Sequence, residues 1–445
     1  MSTADLISGL VPPQGDGSQL AASRLRALAP RPGSVTATGL EPELLGDLTS
    51  KLLLCAGVLS MRSLAQRLAL PGVALNEVLQ MLRREARVGI RPDSIDSDLS
   101  YELTERGRQL ALAAQQRDGY VGPAPVQLAD YVRIVNAQSV HCRQVNRRTM
   151  QRALGDMVLS ESLRDRLGAA LNSGRAIVLH GPAGTGKTFI ARRLERALSG
   201  EILIPHAILV NGSVVRLFDP AVHEPIELAD AESPLLLNSG FDTRYVCCER
   251  PVVRVGGELD NSMLEVERRE ATHEYLAPIQ LKANNGLLIV DDLGRQNMEA
   301  ERILNRWIVP LEERVDHFSL GGGVHFTVPF DLVLVFSTNL EPQTLADGAL
   351  LRRMGYKIAF GPISADAYQQ IWQRECLGLA LPYDKDLVDF AVEELHRKRG
   401  VDLLPCYPRD LLNMVVDKLR YDEREPVVDR ELLTWAWDNY FLQSR

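Results

Sequence analysis

Between residues 41 and 114 the apolar positions recur first at helical and then at strand spacing. Leu44, Leu48, Leu52 and Leu53 share one helical face, 61–68 predicts a second short helix, and 73–85 a third with Leu75, Val78, Leu79 and Leu82 on one side. Two short strands, 88–91 and 99–103, flank the polar loop PDSIDSD, and Thr104 opens another helix. Beyond residue 170 the pattern changes to continuous apolar runs at 176–180, 202–210, 287–290, 332–336 and 357–360. Runs of that length predict strands buried on both faces, as in a parallel sheet covered by helices. The segment 317–330, HFSLGGGVHFTVPF, predicts a hairpin around a glycine turn. From Ser364 onward helical spacing returns over about 364–376, 384–398, 408–420 and 429–440.

This reading divides the chain into five parts. Residues 1–40 are rich in Gly, Pro, Ser and Ala without sustained periodicity and are expected to be a disordered leader. Three helices and a hairpin over 41–115 resemble a winged helix-turn-helix, and 116–157, punctuated by YVGPAPVQ, is expected to be a linker carrying one helix at 128–137. A helix at 159–171 leads into an α/β domain spanning 158–362, and 363–445 forms a helical lid. The span 211–284 is longer than the core needs between its strands and is expected to be an insertion carrying partner contacts.

Composition narrows the setting. With 45% hydrophobic and 24% charged residues there is ample core material, and 445 residues suit about two to four domains. No apolar run reaches membrane-spanning length and no signal segment opens the chain, so no membrane insertion is expected. Six scattered cysteines without metal-ligand spacing point to reduced thiols and a cytoplasmic setting, with Cys247 and Cys248 expected to be buried and structural. The net charge of −8 does not favour a DNA binder working by overall electrostatics. Early exposed positions of the third helix are Asn76, Glu77 and Gln80, and the loop after it holds Asp93, Asp96 and Asp98. A DNA recognition helix presents donors and positive charge there, so protein docking is favoured over DNA.

The chemistry centres on Gly181-Pro182-Ala183-Gly184-Thr185-Gly186-Lys187-Thr188, followed by Phe189. It fits G-x-x-x-x-G-K-[ST] between a strand and a helix. Glycines let successive N–H groups turn towards phosphate oxygens, and the helix N-terminus adds partial positive charge. Lys187 is expected at the β- and γ-phosphates and the Thr188 hydroxyl at Mg2+. The run 287–290 ends in Asp291 and Asp292. Asp291 is placed to hold Mg2+ through water and Asp292 to orient or deprotonate the attacking water. Asn339 ends the next strand, suited to hold that water near the γ-phosphate.

Together these residues resemble the AAA+ ATPases over about residues 150–440. The resemblance assigns Gly181–Thr188 to Walker A, 287–292 to Walker B, Asn339 to sensor 1, Arg409 in PRDLL to the sensor 2 arginine of the lid, and Arg353, with Arg352 beside it, to the finger that enters a neighbour's site. Hairpin 317–330 and the long span before Walker B are similar to the presensor-1 and helix-2 insertions of the MoxR-like branch. YVGPAP, DPAVH, GGEL, KANNG, DDLGRQ, LNRWIVPLE and LLRRMGYKI look like a bacterial group labelled as ATPases with chaperone activity associated with Flp pilus assembly. One departure stands out: the family usually has Glu where this chain has Asp292.

The expected function is therefore an ATP- and Mg2+-dependent ATPase, forming a homo-oligomeric ring, a hexamer by resemblance, that remodels a protein partner docked on the winged helix or the 211–284 insertion. Two alternatives remain open, a DNA-dependent motor or regulator and an ATP-gated switch with slow hydrolysis. Tyr275 and Phe241 are pore-loop candidates by position alone.

Overall fold

The structure is a computed structural model that describes residue 24 and residues 27–91, 99–226, 241–320, 323–345 and 348–441. At its centre is a five-stranded sheet in the order Val252–Val255, Leu287–Val290, Val333–Thr338, Ile177–His180, Tyr356–Ala359. Every pairing is parallel. All residues of Leu287–Val290 and Val333–Thr338 are buried, as expected of strands with helices on both faces. The α/β class expected from the apolar runs is the one found.

Which run joins the central sheet differs from the sequence reading. The segment 202–210 breaks at His206 into Glu201–Pro205 and Ala207–Val210, and neither enters the parallel sheet. Its place is taken by Val252–Val255, from within the span 211–284. Only Val253 and Val255 of that strand are buried, so it has the alternation of an edge strand rather than a continuous apolar run.

Seven further strands build a second β layer, while Val315–Ser319 and His325–Pro329 pair with each other as an antiparallel hairpin. A mixed sheet runs Glu267–Arg269, Glu274–Leu276, Ser213–Arg216, Ala207–Val210, Val126–Gln127, beside the antiparallel pair Glu201–Pro205 and Tyr245–Glu249. Cys247 and Cys248 lie buried in that pair, where burial pushes their thiols up to about 11 and about 12. Tyr275 sits within a paired strand and Phe241 packs partly buried against the core of this layer, so neither occupies a free loop.

Two expected boundaries are corrected. The leader does not extend to residue 40, because Ala29, Val35, Thr38 and Leu40 are buried and the buried Arg244 guanidinium donates to the Thr38 carbonyl (3.0 Å). The leader reading for 1–23, 25 and 26 lies outside the described residues. Nor is 116–157 a free linker: Tyr120, Val126, Tyr131, Ile134, Val135 and Val140 are buried, and Val126–Gln127 pairs with Ile208 and Leu209. Pro and Gly there shape turns inside a packed unit.

Ahead of this core, helices Pro42–Ala56, Met61–Leu68 and Gly72–Arg84 pack with a three-stranded antiparallel sheet ordered Leu59–Ser60, Ser100–Leu103, Val88–Arg91. Acidic Asp93, Asp96 and Asp98 lie outside the described residues. The C-terminal unit holds Ala365–Gly378, Lys385–Phe390 continued by a π-helical turn Ala391–Arg397, Tyr407–Tyr421 and Arg430–Tyr440. Its core surrounds Tyr368, Trp372 and Trp437.

Candidate nucleotide site

The phosphate loop leaves the central strand Ile177–His180 and enters the helix Lys187–Arg193. Gly181, Gly184 and Gly186 have φ of 133°, 81° and 85°. At Gly181 a Cβ would stand 2.0 Å from the Phe360 carbonyl oxygen, so only glycine lets the neighbouring strand come so close. At Gly184 it would stand 2.6 Å from Cys406 Sγ, which brings the C-terminal unit against the loop.

Lys187 is 5% exposed and makes its bonds to neutral oxygens: the carbonyls of Gly181 and Pro182 (each 2.8 Å) and Asn339 Oδ1 (2.9 Å). Burial lowers its pKa, and Asp292 and Asp291 act in the opposite direction. The Thr188 hydroxyl donates to Asp291 Oδ1 (2.9 Å). Asn339 Nδ2 donates to Asp292 Oδ1 (3.1 Å), so one amide bridges the loop lysine and the second carboxylate. Residues 187, 188, 291, 292 and 339, distant in sequence, thus converge at the C-terminal ends of adjacent parallel strands, where ligands bind in open α/β sheets.

A cleft of about 1270 Å3 opens over this cluster, lined by the loop, Phe189, Asp292, Asn339 and Arg409. Arg409, in the first turn of Tyr407–Tyr421, reaches Asp410 Oδ1 through Nε (3.2 Å) and Nη2 (3.1 Å). Phe189 is 50% exposed with the Arg193 guanidinium 4.9 Å from its ring centre. Arg352 and Arg353 do not join the cleft: they end the helix Gly348–Arg353, both exposed, and Arg353 pairs with Glu312. The cleft's far wall, with Met157, Leu159, Leu163, Ile363, Ala367 and Ile371, carries no motif and was not singled out from sequence.

These residues fit a nucleoside triphosphate with Mg2+. A buried ammonium held by neutral oxygens has an unused claim on an anion, and a Cβ at Gly186 would meet nothing within 4 Å, so the approach is open. Thr188 and Asp291 form a hydroxyl–carboxylate pair of the kind that holds Mg2+ with few protein ligands.

A protein-family model described as "Domain of unknown function (DUF8689)" matches residues 364–439. No curated protein matches the chain. Among solved structures, a RuvB variant of Thermotoga maritima is similar at 13% identity and a TM-score of 0.39, over 64% of this chain and 72% of that one. NtrX of Brucella abortus is similar at 13% identity and a TM-score of 0.39, over 62% of this chain and 55% of that one. A complex between subunits BchI and BchD of magnesium chelatase is similar at 16% identity and a TM-score of 0.33, over 67% of this chain and 93% of that one.

Proposed function

We propose that the chain is an ATPase of the AAA+ kind that binds ATP with Mg2+ at this cleft and works as a homo-oligomeric ring, a hexamer on the family resemblance, to remodel a protein partner. The observation that carries the reading is the convergence of Lys187, Thr188, Asp291, Asp292 and Asn339 on one phosphate loop, with Arg409 across the cleft. In this reading the loop amides and Lys187 hold the β- and γ-phosphates, and Thr188 and Asp291 hold the metal. Bound Mg2+ supplies charge neutralisation on the phosphates. Asp292 takes up the proton of the attacking water or orients it, and Asn339 fixes that carboxylate. Arg409 reaches the phosphates by leaving Asp410. Arg352 and Arg353, exposed and away from their own cleft, would act in a neighbour's site, Arg353 on leaving Glu312.

The MoxR-like placement, the link to pilus or secretion assembly, the cytoplasmic setting and docking of a protein partner on the winged helix or within 211–284 belong to the same proposal. The test is steady-state hydrolysis against protein concentration, with and without DNA. A shared site gives turnover rising faster than linearly around the assembly threshold. Mixing Arg353→Ala with Lys187→Ala should partly restore activity, because some interfaces pair an intact Lys187 with an intact Arg353. No recovery in rings shown to be mixed counts against the shared site, and stimulation by DNA would promote the motor alternative.

The second reading is an ATP-gated switch with slow hydrolysis. It is favoured by Asp292, whose carboxylate is one methylene shorter than glutamate's and already bonded to Asn339.

A further inference from the structure

Residues 291–296 form a turn whose side-chain and backbone bonds surround Asp292. Asp292 has φ of +49°, in the left-handed region. Aspartate and asparagine enter that region several-fold more readily than other side chains apart from glycine, and glutamate has no such preference. The turn is tied to the sheet on both sides: Asp291 N–H donates to the Val255 carbonyl (2.8 Å), Leu293 N–H to the Ser337 carbonyl (2.8 Å), and the Thr338 hydroxyl to the Leu293 carbonyl (2.8 Å). One half-buried side chain closes it from within. Gln296 Nε2 donates to the carbonyls of Asp291 (3.0 Å) and Asp292 (3.2 Å), while its Oε1 accepts the Gly294 N–H (2.8 Å). The same amide therefore grips the peptides on both sides of the left-handed residue. In this turn the short Asp292 side chain meets Asn339 Nδ2 at 3.1 Å.

We propose that the Gln296-braced left-handed turn is what delivers the Asp292 carboxylate to Asn339, making Gln296 a positioning residue for hydrolysis and residue 292 a site built for aspartate rather than glutamate. The turn makes up in backbone placement the reach that a longer side chain would supply. The catalytic part rests on the ATPase reading above, while the preference at 292 concerns the folded chain alone.

The test uses the full chain and two readouts. In the first, Gln296→Met removes the amide at similar volume, and turnover should fall by about 10- to 100-fold, the scale set by small misplacements of a reacting group. Affinity for Mg-ATP should stay within about threefold, since a carboxylate that only orients water contributes little to ground-state binding. Gln296→Glu, which keeps the acceptor but loses both donors, should fail in the same way. Asp292→Glu should turn over more slowly than the unaltered protein. In the second, thermal melting without nucleotide should place Asp292→Glu below Asp292→Gly, because only glycine takes the left-handed backbone freely. If the unaltered protein binds Mg-ATP without hydrolysing it, the ATPase reading fails by itself and the melting order still decides the turn. Turnover of Asp292→Glu or Gln296→Met at the unaltered rate, or Asp292→Glu melting no lower than Asp292→Gly, would overturn the proposal.

Discussion

The two ends of the parallel sheet put similar polar residues to opposite uses. At its C-terminal end, Lys187, Asn339 and Asp292 hold one another beside an open cleft, in bonds that an incoming phosphate can replace. At its N-terminal end, Gln138, Asn285, Asp331 and Arg250 are buried. Gln138 donates to the Leu203 carbonyl and to Asn285 Oδ1 (2.9 Å each), and Arg250 Nη2 donates to the Gln138 carbonyl (3.0 Å). Asp331 accepts from the Ser139 hydroxyl (2.6 Å), the Val140 N–H (3.0 Å) and Asn285 Nδ2. That network joins the central sheet to 135–140 and to the second β layer, and the cavity beside Gln138 and Asn285 holds only about 10 Å3. Polar residues on a replaceable network serve a ligand, whereas those on a closed, buried network hold domains together.

The sharpest way to break this contrast is to disable each end in turn. Asp331→Ala should lower stability by about 3–5 kcal/mol, since it strands buried donors and leaves Arg250 without its nearby counter-charge. Denaturant unfolding reads that loss, and a change below about 1 kcal/mol would contradict a closed network. Asp292→Asn should do the reverse, leaving the melting temperature and nucleotide affinity nearly unchanged while turnover falls by about 100-fold or more, as losses confined to the transition state do. Hydrolysis at the unaltered rate would place the base elsewhere.

A smaller effect tests the second β layer by acid. His206, between the strands Glu201–Pro205 and Ala207–Val210, has its ring edge-on to Phe218 at 5.4 Å. Burial, with Arg216 nearby, lowers its pKa to about 4 from 6.5. As pH falls through that window the unfolded chain takes up a proton that the folded chain refuses, so stability is full above about pH 6.5 and drops towards pH 4, by up to about 3 kcal/mol. The slope should flatten in His206→Gln, measured as unfolding free energy against pH. Smallest of all, Asp165→Ala should cost only about 0.2–1 kcal/mol despite the 2.7 Å contact with Arg147, whose side chain is 87% exposed. A larger loss there would mean that surface pairs, too, carry the architecture.

The same contrast explains what could be read from the sequence. Lys187, Thr188, Asp291 and Asn339 were legible because each lies in a short motif that begins within a few residues of the end of an apolar run, and the geometry of a loop after a strand is local. The edge strand Val252–Val255 was not, since Arg254 interrupts its apolar pattern and residues 198–251 lie between it and the end of the phosphate-loop helix's 3-10 extension at Ala197. Tyr120, Tyr131 and Val140 fall within the expected linker 116–157, of which only YVGPAPVQ is punctuated by Pro and Gly, yet all three are buried and that burial depends on strands far along the chain. Met157, Leu159 and Ile363 meet across the cleft only once the C-terminal helices dock. Gln296 closes the segment DDLGRQ, but its role was not legible there, because that role is defined by the φ of Asp292.

The central claim is that the C-terminal end of the sheet holds ATP with Mg2+ through Lys187. Calorimetric titration of Mg-ATP into the unaltered protein and into Lys187→Ala tests it most directly. A saturable heat in the first and a loss of affinity of about 100-fold or more in the second, with melting temperature unchanged, is the expected result. Equal affinity in the two proteins would contradict it.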